Sequence, residues 1–165
     1  MEEKTIKIST SNTLPDVVAS IKRGEWKIPR FQREFVWEKK RVIGLLDSIY
    51  KEFPIGAFFL WIPPEEYVSH YKDIPELDIE ADNRKYFIHF ILDGQQRLTS
   101  LYAVYRGLTI NEHDFSTICF NLDSEKFNLD QEDLTKNISV HKILNEEKYL
   151  NIYDNLTPER RLIFK

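Results

Sequence analysis

Five consecutive residues that could do chemistry lie between an apolar run and an amphipathic stretch. They are Asp93, Gly94, Gln95, Gln96 and Arg97. The run before them is typical of a strand, and the stretch after them repeats apolar residues at helical spacing. A strand that enters a helix through a glycine turn leaves unpaired backbone N–H groups beyond the end of the sheet. Such groups bind anions, most often phosphate. The sequence therefore predicts a phosphate site with backbone donors from Gly94, Gln95 and Gln96.

The charged residues of this motif predict further roles. Arg97 would lie in the first helical turn, where the helix dipole disfavours a cation by roughly 0.3–1 kcal/mol. A bound phosphate would compensate through a bidentate guanidinium contact. Asp93 is predicted to be the helix N-cap, to pair with Arg97 or Arg33, or to help bind Mg²⁺ beside phosphate groups. Gln95 or Gln96 could orient a water for hydrolysis. The alternative is an ordinary capped turn without a ligand.

A second cluster of polar residues lies earlier in the chain and alternates with aromatic residues. Arg30 or Arg33 could contact phosphate, and Gln32 could contact a base or a ribose. The aromatic members could stack on a ring; they are Phe31, Phe35 and Trp37. In the alternative interpretation the aromatic residues belong to the core and the arginines extend into solvent.

Helices and strands of an α/β (α+β) domain are predicted to position these residues. Predicted helices cover about residues 14–21, 38–51, 95–106 and 140–144, and one begins at Pro158. Pro15 marks the start of the first helix, and Gly24 and Gly107 mark helix ends. Predicted strands cover residues 5–9, 26–29, 57–62, 86–92 and 117–122, the third of them buried. The acidic, proline-containing residues 63–85 are predicted to form an inserted loop or lid.

Composition limits the classes of function. The chain has 165 residues and a net charge of −4, so a broad basic field for sequence-independent DNA binding is absent. The single cysteine, Cys119, excludes an intramolecular disulfide and is predicted to be a buried core thiol. No signal peptide heads the chain, and no apolar run is long enough to span a bilayer. We therefore expect a cytoplasmic protein without a membrane partner.

The order and spacing of the motifs over residues 10–107 resemble the N-terminal domain of GmrSD-like type IV restriction systems. The matching residues are Ile28-Pro29-x-Phe31-Gln32-Arg33, Trp37, Leu46-x-Ser48-Ile49, Phe53-Pro54-Ile55-Gly56 and Leu92-Asp93-Gly94-Gln95-Gln96-Arg97-Leu98-Thr99-Ser100-Leu101. The resemblance implies a ParB/sulfiredoxin-like fold, which is a small mixed sheet flanked by helices. It also implies that residues 1–122 form a nucleotide-binding domain with this fold. We expect residues 123–165 to be a helical extension and the start of a longer region that is truncated at Lys165.

The resemblance also implies a nucleoside-triphosphate-binding regulatory module of a DNA-targeting restriction and phage-defence system. Mg²⁺-dependent hydrolysis of the triphosphate would involve Asp93, Gln95, Gln96 and Arg97. The nucleotide-binding set would comprise Arg30, Gln32, Arg33, Gly94, Gln95, Gln96, Arg97 and Thr99. DNA would be bound through the full-length protein, with a nuclease domain in the same chain or in a partner subunit. The alternative is a non-enzymatic DNA-recognition or protein-interaction module.

No nuclease activity is expected within these 165 residues. The four histidines are scattered, and no asparagine-containing metal-finger pattern surrounds them; they are His70, His89, His113 and His141. Glu-x-Lys patterns at Glu38 and Glu146 do not clearly fall on strands, and so short a pattern often arises by chance.

Overall fold

The computed structural model describes residues 13–72, 74, 77, 79, 88–131, 133, 136–145, 152–154 and 156–161. Its helices are α1 (Leu14–Lys22), α2 (Lys39–Tyr50), α3 (Gln95–Arg106) and α4 (Val140–Ile143), with a further helical turn over Pro158–Arg161. All five helices predicted from the sequence are confirmed. The predicted strand over residues 5–9 lies outside the described residues, as does most of the predicted loop after Lys72.

The start of α1 is fixed by its N-terminal cap. Thr13 is the N-cap, and its backbone N–H donates to Asp16 Oδ2 at 2.9 Å. Its hydroxyl donates to the same carboxylate at 2.6 Å. In return, the backbone N–H of Asp16 donates to the Thr13 hydroxyl at 3.4 Å, so the two residues form a capping box. Pro15 occupies the first turn, where it costs no intrahelical hydrogen bond.

In the part of the chain that the structure describes, eight short strands form three sheets. The first sheet contains β1 (Trp26–Lys27), β2 (Phe59–Trp61) and β3 (His89–Asp93) in the order β1-β3-β2. The hairpin contains β4 (Thr109–Ile110) and β5 (His113–Asp114), and the third sheet contains β6 (Cys119–Asn121), β7 (Lys126–Asn128) and β8 (Asn137–Ser139). In the first sheet β3 pairs parallel to β1 and antiparallel to β2. Helices with small mixed sheets confirm the α/β class, while the ParB/sulfiredoxin-like topology stays a prediction.

The prediction of a buried strand over residues 57–62 is wrong in its burial. The strand exists as β2, but it lies at the edge of its sheet, with Phe59 61% exposed and Trp61 37% exposed. Leu60, between them, packs against the core, and the Trp61 ring contacts buried Phe90 with ring centroids 5.9 Å apart. A continuous apolar run does not distinguish a strand covered on both faces from an edge strand that exposes one face.

The prediction of a helical extension after Leu122 is corrected by the third sheet. Strands β7 and β8 both pair antiparallel with β6, so one sheet crosses the predicted domain boundary. Each strand has three residues, which is too short to produce a readable alternation of apolar and polar residues.

The hydrophobic core surrounds α3. Leu98 and Tyr102 on this helix are at most 1% exposed, and they belong to one cluster with Val42 of α2 and Ile91 of β3. Cys119 is buried as predicted, and burial raises the pKa of its thiol. Among the helices of the described residues, none combines the length and apolarity needed to cross a bilayer.

Candidate functional site

The turn from β3 into α3 depends on glycine. Strand β3 ends at Asp93, and Gly94 is the N-cap with φ +88°. A Cβ atom on Gly94 would lie 2.4 Å from Phe58 Cδ1, so both the backbone conformation and the space favour glycine. The prediction that Asp93 caps the helix is therefore wrong, because Gly94 stands between Asp93 and the first helical residue. Gly94 has no side chain to cap α3, so the N-cap residue offers the first-turn amides no acceptor.

Arg97, in the first turn of α3, is held by protein groups. Its guanidinium donates to Ile55 O and, at 2.8 Å, to Ala57 O. It also pairs with Asp93 Oδ2 at 3.2 Å and lies over the Phe58 ring. The partner needed to place a cation at this end of the helix is thus supplied by the protein itself. The phosphate-binding role of Arg97 stays a prediction.

The contacts of Arg97 with the carbonyls of Ile55 and Ala57 explain why a glycine lies between these two residues. Gly56 has φ +84°, and a Cβ atom there would lie 2.7 Å from Arg97 Nη1. Glycine at this position therefore lets the backbone carbonyls of Ile55 and Ala57 close around the guanidinium.

Gln95 and Gln96 connect α3 to residues 33–36, which we call the Arg33 segment. Gln95 Nε2 donates to Arg33 O, and Gln96 Nε2 donates to Glu34 O, both at 2.9 Å. Gln96 Oε1 also accepts from Val36 N at 2.9 Å. Both glutamine side chains are buried. They therefore fix a backbone segment about 60 residues away, a contact that the sequence did not predict.

Arg33 itself remains available to a ligand. Its side chain is exposed and makes no hydrogen bond or ion pair with the described part of the chain. Its neighbour Gln32 is anchored, because Gln32 Nε2 donates to Leu92 O at 2.9 Å near the end of β3. The two predicted motifs therefore meet at one end of the first sheet.

A cleft of about 200 Å³ lies between the two motifs. Its lining residues are Gln32, Arg33, Trp37, Asp93, Gly94, Gln95, Gln96 and Arg97. The sequence predicted Trp37 only as a core or stacking residue. Its Nε1 is buried with no hydrogen-bond partner among the described residues, and Arg41 lies over its ring with Cζ 4.5 Å from the centroid.

Two residues of the predicted nucleotide-binding set lie elsewhere. Arg30 donates from Nε to Tyr71 O at 3.1 Å and lines a separate cleft with Lys27 and Lys72. Thr99 is 3% exposed and lines a small apolar cavity next to Tyr102. The structure thus brings the other six positions of that set to the cleft beside Gly94 and separates Arg30 and Thr99 from it.

Comparison with known proteins identifies the family. The family model of the GmrSD restriction endonuclease N-terminal domain matches residues 14–164. The chain belongs to this family. The match makes it a GmrSD N-terminal domain.

The same family match extends through the third sheet, beyond residues 10–107 that carried the sequence resemblance. An uncharacterized protein from Methanocaldococcus jannaschii is 34% identical to the chain over 154 residues. The alignment covers 87% of this chain and 26% of that relative, so the chain spans about a quarter of the relative's length.

The cleft of this GmrSD N-terminal domain offers one carboxylate to a metal ion. The Asp93 side chain is 65% exposed, and it is the acidic member of the ion pair with Arg97. Within the described residues no group of three histidine, cysteine or acidic side chains could hold a metal by itself. A single carboxylate fits Mg²⁺ only when phosphate oxygens and water complete the coordination of the ion.

Proposed function

We propose that this GmrSD N-terminal domain binds a nucleoside triphosphate in the cleft between the Arg33 segment and α3. The observation that carries the proposal is the pairing of a free cation with an uncapped helix start. The Arg33 guanidinium has no partner in the described part of the chain, and Gly94 and the first-turn residues of α3 line the same cleft. An oxyanion between them would receive donors from both sides.

The size of the cleft indicates which part of the ligand it holds. Its volume of about 200 Å³ is small beside the roughly 300–1,000 Å³ of pockets that enclose drug-sized ligands. We therefore expect the cleft to hold phosphate groups and to leave the base outside. Gln32, which lines the same cleft and is anchored to Leu92 O, is the predicted contact to the base or ribose.

Hydrolysis of the triphosphate, with Mg²⁺ bound jointly by Asp93 and the phosphates, is the second part of the proposal. The metal would neutralise phosphate charge when bound. Arg33 would add a second positive charge, and the helix amides would orient the phosphates. The side chains of Gln95 and Gln96 hold the Arg33 segment, so their predicted role in orienting water requires them to give up or share those contacts.

Calorimetric titration of the 165-residue chain tests the binding proposal directly. Each of ATP, GTP, CTP and UTP is titrated with and without Mg²⁺ against the wild type, Arg33→Ala and Lys126→Ala. A hydrogen bond to a charged group contributes about 1.5–3 kcal/mol, so we expect Arg33→Ala to weaken binding by on the order of 10- to 100-fold. Lys126 is an exposed cation on β7 that does not line the cleft, and its removal should leave affinity unchanged. Equal affinity of Arg33→Ala and wild type would contradict the proposal.

A protein-interaction module is the second candidate function. Two observations favour it: the buried glutamines and Arg97 close an internal network, and the edge strand β2 exposes Phe59 beside Ile62, which is 55% exposed. Exposed apolar edge strands are common contact sites for other chains. Titration separates the candidates, since an interaction module would bind none of the four nucleotides.

DNA recognition, and control of a nuclease domain in the same chain or in a partner subunit, are proposals for the full-length protein. Affinity for DNA that falls steeply with salt and does not depend on nucleotide would favour direct DNA recognition by this domain. Affinity for DNA that changes with bound nucleotide would instead favour a regulatory module.

A further inference from the structure

Three consecutive backbone carbonyls of the Arg33 segment each accept a hydrogen bond from a different side-chain amide. Arg33 O accepts from Gln95, Glu34 O accepts from Gln96, and Phe35 O accepts from Asn111 Nδ2 at 2.8 Å. The next amide, Val36 N, donates back to Gln96. The segment belongs to no helix or strand, so these side chains replace the ladder that a regular element would provide.

Asn111 belongs to neither sequence motif. It lies in the turn between β4 and β5 with φ +49°, a conformation that asparagine tolerates better than most residues. A second contact joins the Arg33 segment to the chain that follows the hairpin, because Phe35 packs edge-on against Phe115 with ring centroids 5.9 Å apart. The hairpin region therefore holds the backbone at Phe35, while the glutamines of α3 hold the two preceding residues.

We propose that Asn111 is a positioning residue for the cleft: it fixes the backbone at Phe35 so that the Arg33 guanidinium reaches the phosphate. This inference rests on the proposed function. The segment's backbone is bound at three successive carbonyls, while the charged side chain of Arg33 has no partner in the described part of the chain. A fixed backbone lowers the conformational entropy that Arg33 loses on binding and holds its donors in place.

Asn111→Asp is the matched variant for this inference. Aspartate keeps the size of asparagine and its tolerance of positive φ, but an ionised carboxylate cannot donate to Phe35 O. Glu112→Asn is the control, since Glu112 is the exposed neighbour in the same turn and also has positive φ. We expect Asn111→Asp to weaken binding of the Mg²⁺-bound triphosphate by about 5- to 10-fold, the effect of losing one net hydrogen bond, and Glu112→Asn to leave it unchanged.

A double-mutant cycle with Arg33→Ala separates positioning from general damage to the fold. If Asn111 acts through Arg33, Asn111→Asp should cause no further loss of affinity in the Arg33→Ala background. Hydrogen exchange of the peptide that contains residues 33–37 gives a second readout without ligand, and it should be faster in Asn111→Asp than in Glu112→Asn.

The outcomes that overturn the two proposals differ. Wild-type protein that binds no triphosphate overturns the proposed function and this inference together. Asn111→Asp that binds like the wild type, while Arg33→Ala does not, overturns the inference alone. The inference is also overturned if Asn111→Asp causes the same loss of affinity in the Arg33→Ala background as in the wild type.

Discussion

Gly94 fixes the geometry of the cleft at the scale of a single residue. Its positive φ turns the chain from β3 into α3, and its missing Cβ admits the Phe58 ring. A residue with a side chain at such a position loses about 1–2 kcal/mol from backbone strain alone. The contact with Phe58 adds to this cost.

We predict that Gly94→Ala lowers the free energy of unfolding by about 2 kcal/mol or more. Gly44→Ala is the matched control, since Gly44 lies in α2 and a Cβ atom there would meet no other atom within 4 Å. Replacing this mid-helix glycine should stabilise the protein by about 0.5–1 kcal/mol. Urea unfolding measures both. A Gly94→Ala variant as stable as the wild type would contradict the role given to this turn.

Substitution of Gln96 tests whether this residue has a structural role or a purely catalytic one. It is 7% exposed, and both the oxygen and the nitrogen of its side-chain amide form hydrogen bonds with the Arg33 segment. Gln96→Glu removes the donor to Glu34 O, so we predict a loss of about 1–3 kcal/mol in the free energy of unfolding. Gln131→Glu, at an exposed position, should cost little. If Gln96 only oriented a water, its variant would lose hydrolysis at unchanged stability.

The sequence predicted part of the group of residues that lies together at the cleft, and the roles of these residues in binding stay predictions. Arg33 and Gly94 do share a cleft, as a phosphate site requires. Thr99 belongs to the predicted set through its position in the motif, yet the turn of α3 directs it to an internal cavity. Asn111 could not be found from the sequence, because a single asparagine in a short turn carries no spacing signal.

At the scale of elements, the helices were predictable because their apolar residues repeat over several turns. Helix α3 begins and ends at the predicted residues, between Gly94 and Gly107. The strands were less predictable, because β7 and β8 have three residues each. The burial of β2 could not be predicted, since its position at the sheet edge depends on strand order rather than on its own residues.

The N-terminal cap of α1 gives a prediction about pH. Hydrogen bonds from the hydroxyl and the backbone N–H of Thr13 lower the pKa of Asp16 below its ordinary value of 3.8. A lowered pKa in the folded state stabilises the protein above the unfolded-state pKa, and this contribution is lost as the pH falls through the folded-state pKa. Asp16→Asn should therefore lose less stability than the wild type when the pH falls from about 6 to about 3.

Urea unfolding at the two pH values measures this difference. Some pH dependence should remain in Asp16→Asn, because the hydrogen bond from Arg23 lowers the pKa of Glu25 with the same sign. Identical pH dependence in the variant and the wild type would contradict the contribution assigned to the capping box.

At the scale of the whole molecule, the fold joins two motifs that lie about 60 residues apart in sequence. Buried glutamines of α3 fix one motif against the other, and the hairpin after α3 adds Asn111. Neither composition nor periodicity predicts such a contact, because neither relates two particular residues that are distant in sequence. The resemblance of the motifs to a restriction family did predict the family, and the match over residues 14–164 confirms it.

A crystal structure of the chain with a non-hydrolysable triphosphate and Mg²⁺ tests the central claim most directly. We predict phosphoryl oxygens within hydrogen-bond distance of the Arg33 guanidinium and the first-turn amides of α3, with the base outside the cleft. The account would be contradicted if the triphosphate, at saturating concentration, bound in the cleft that Arg30 lines, or if the cleft beside Gly94 were empty.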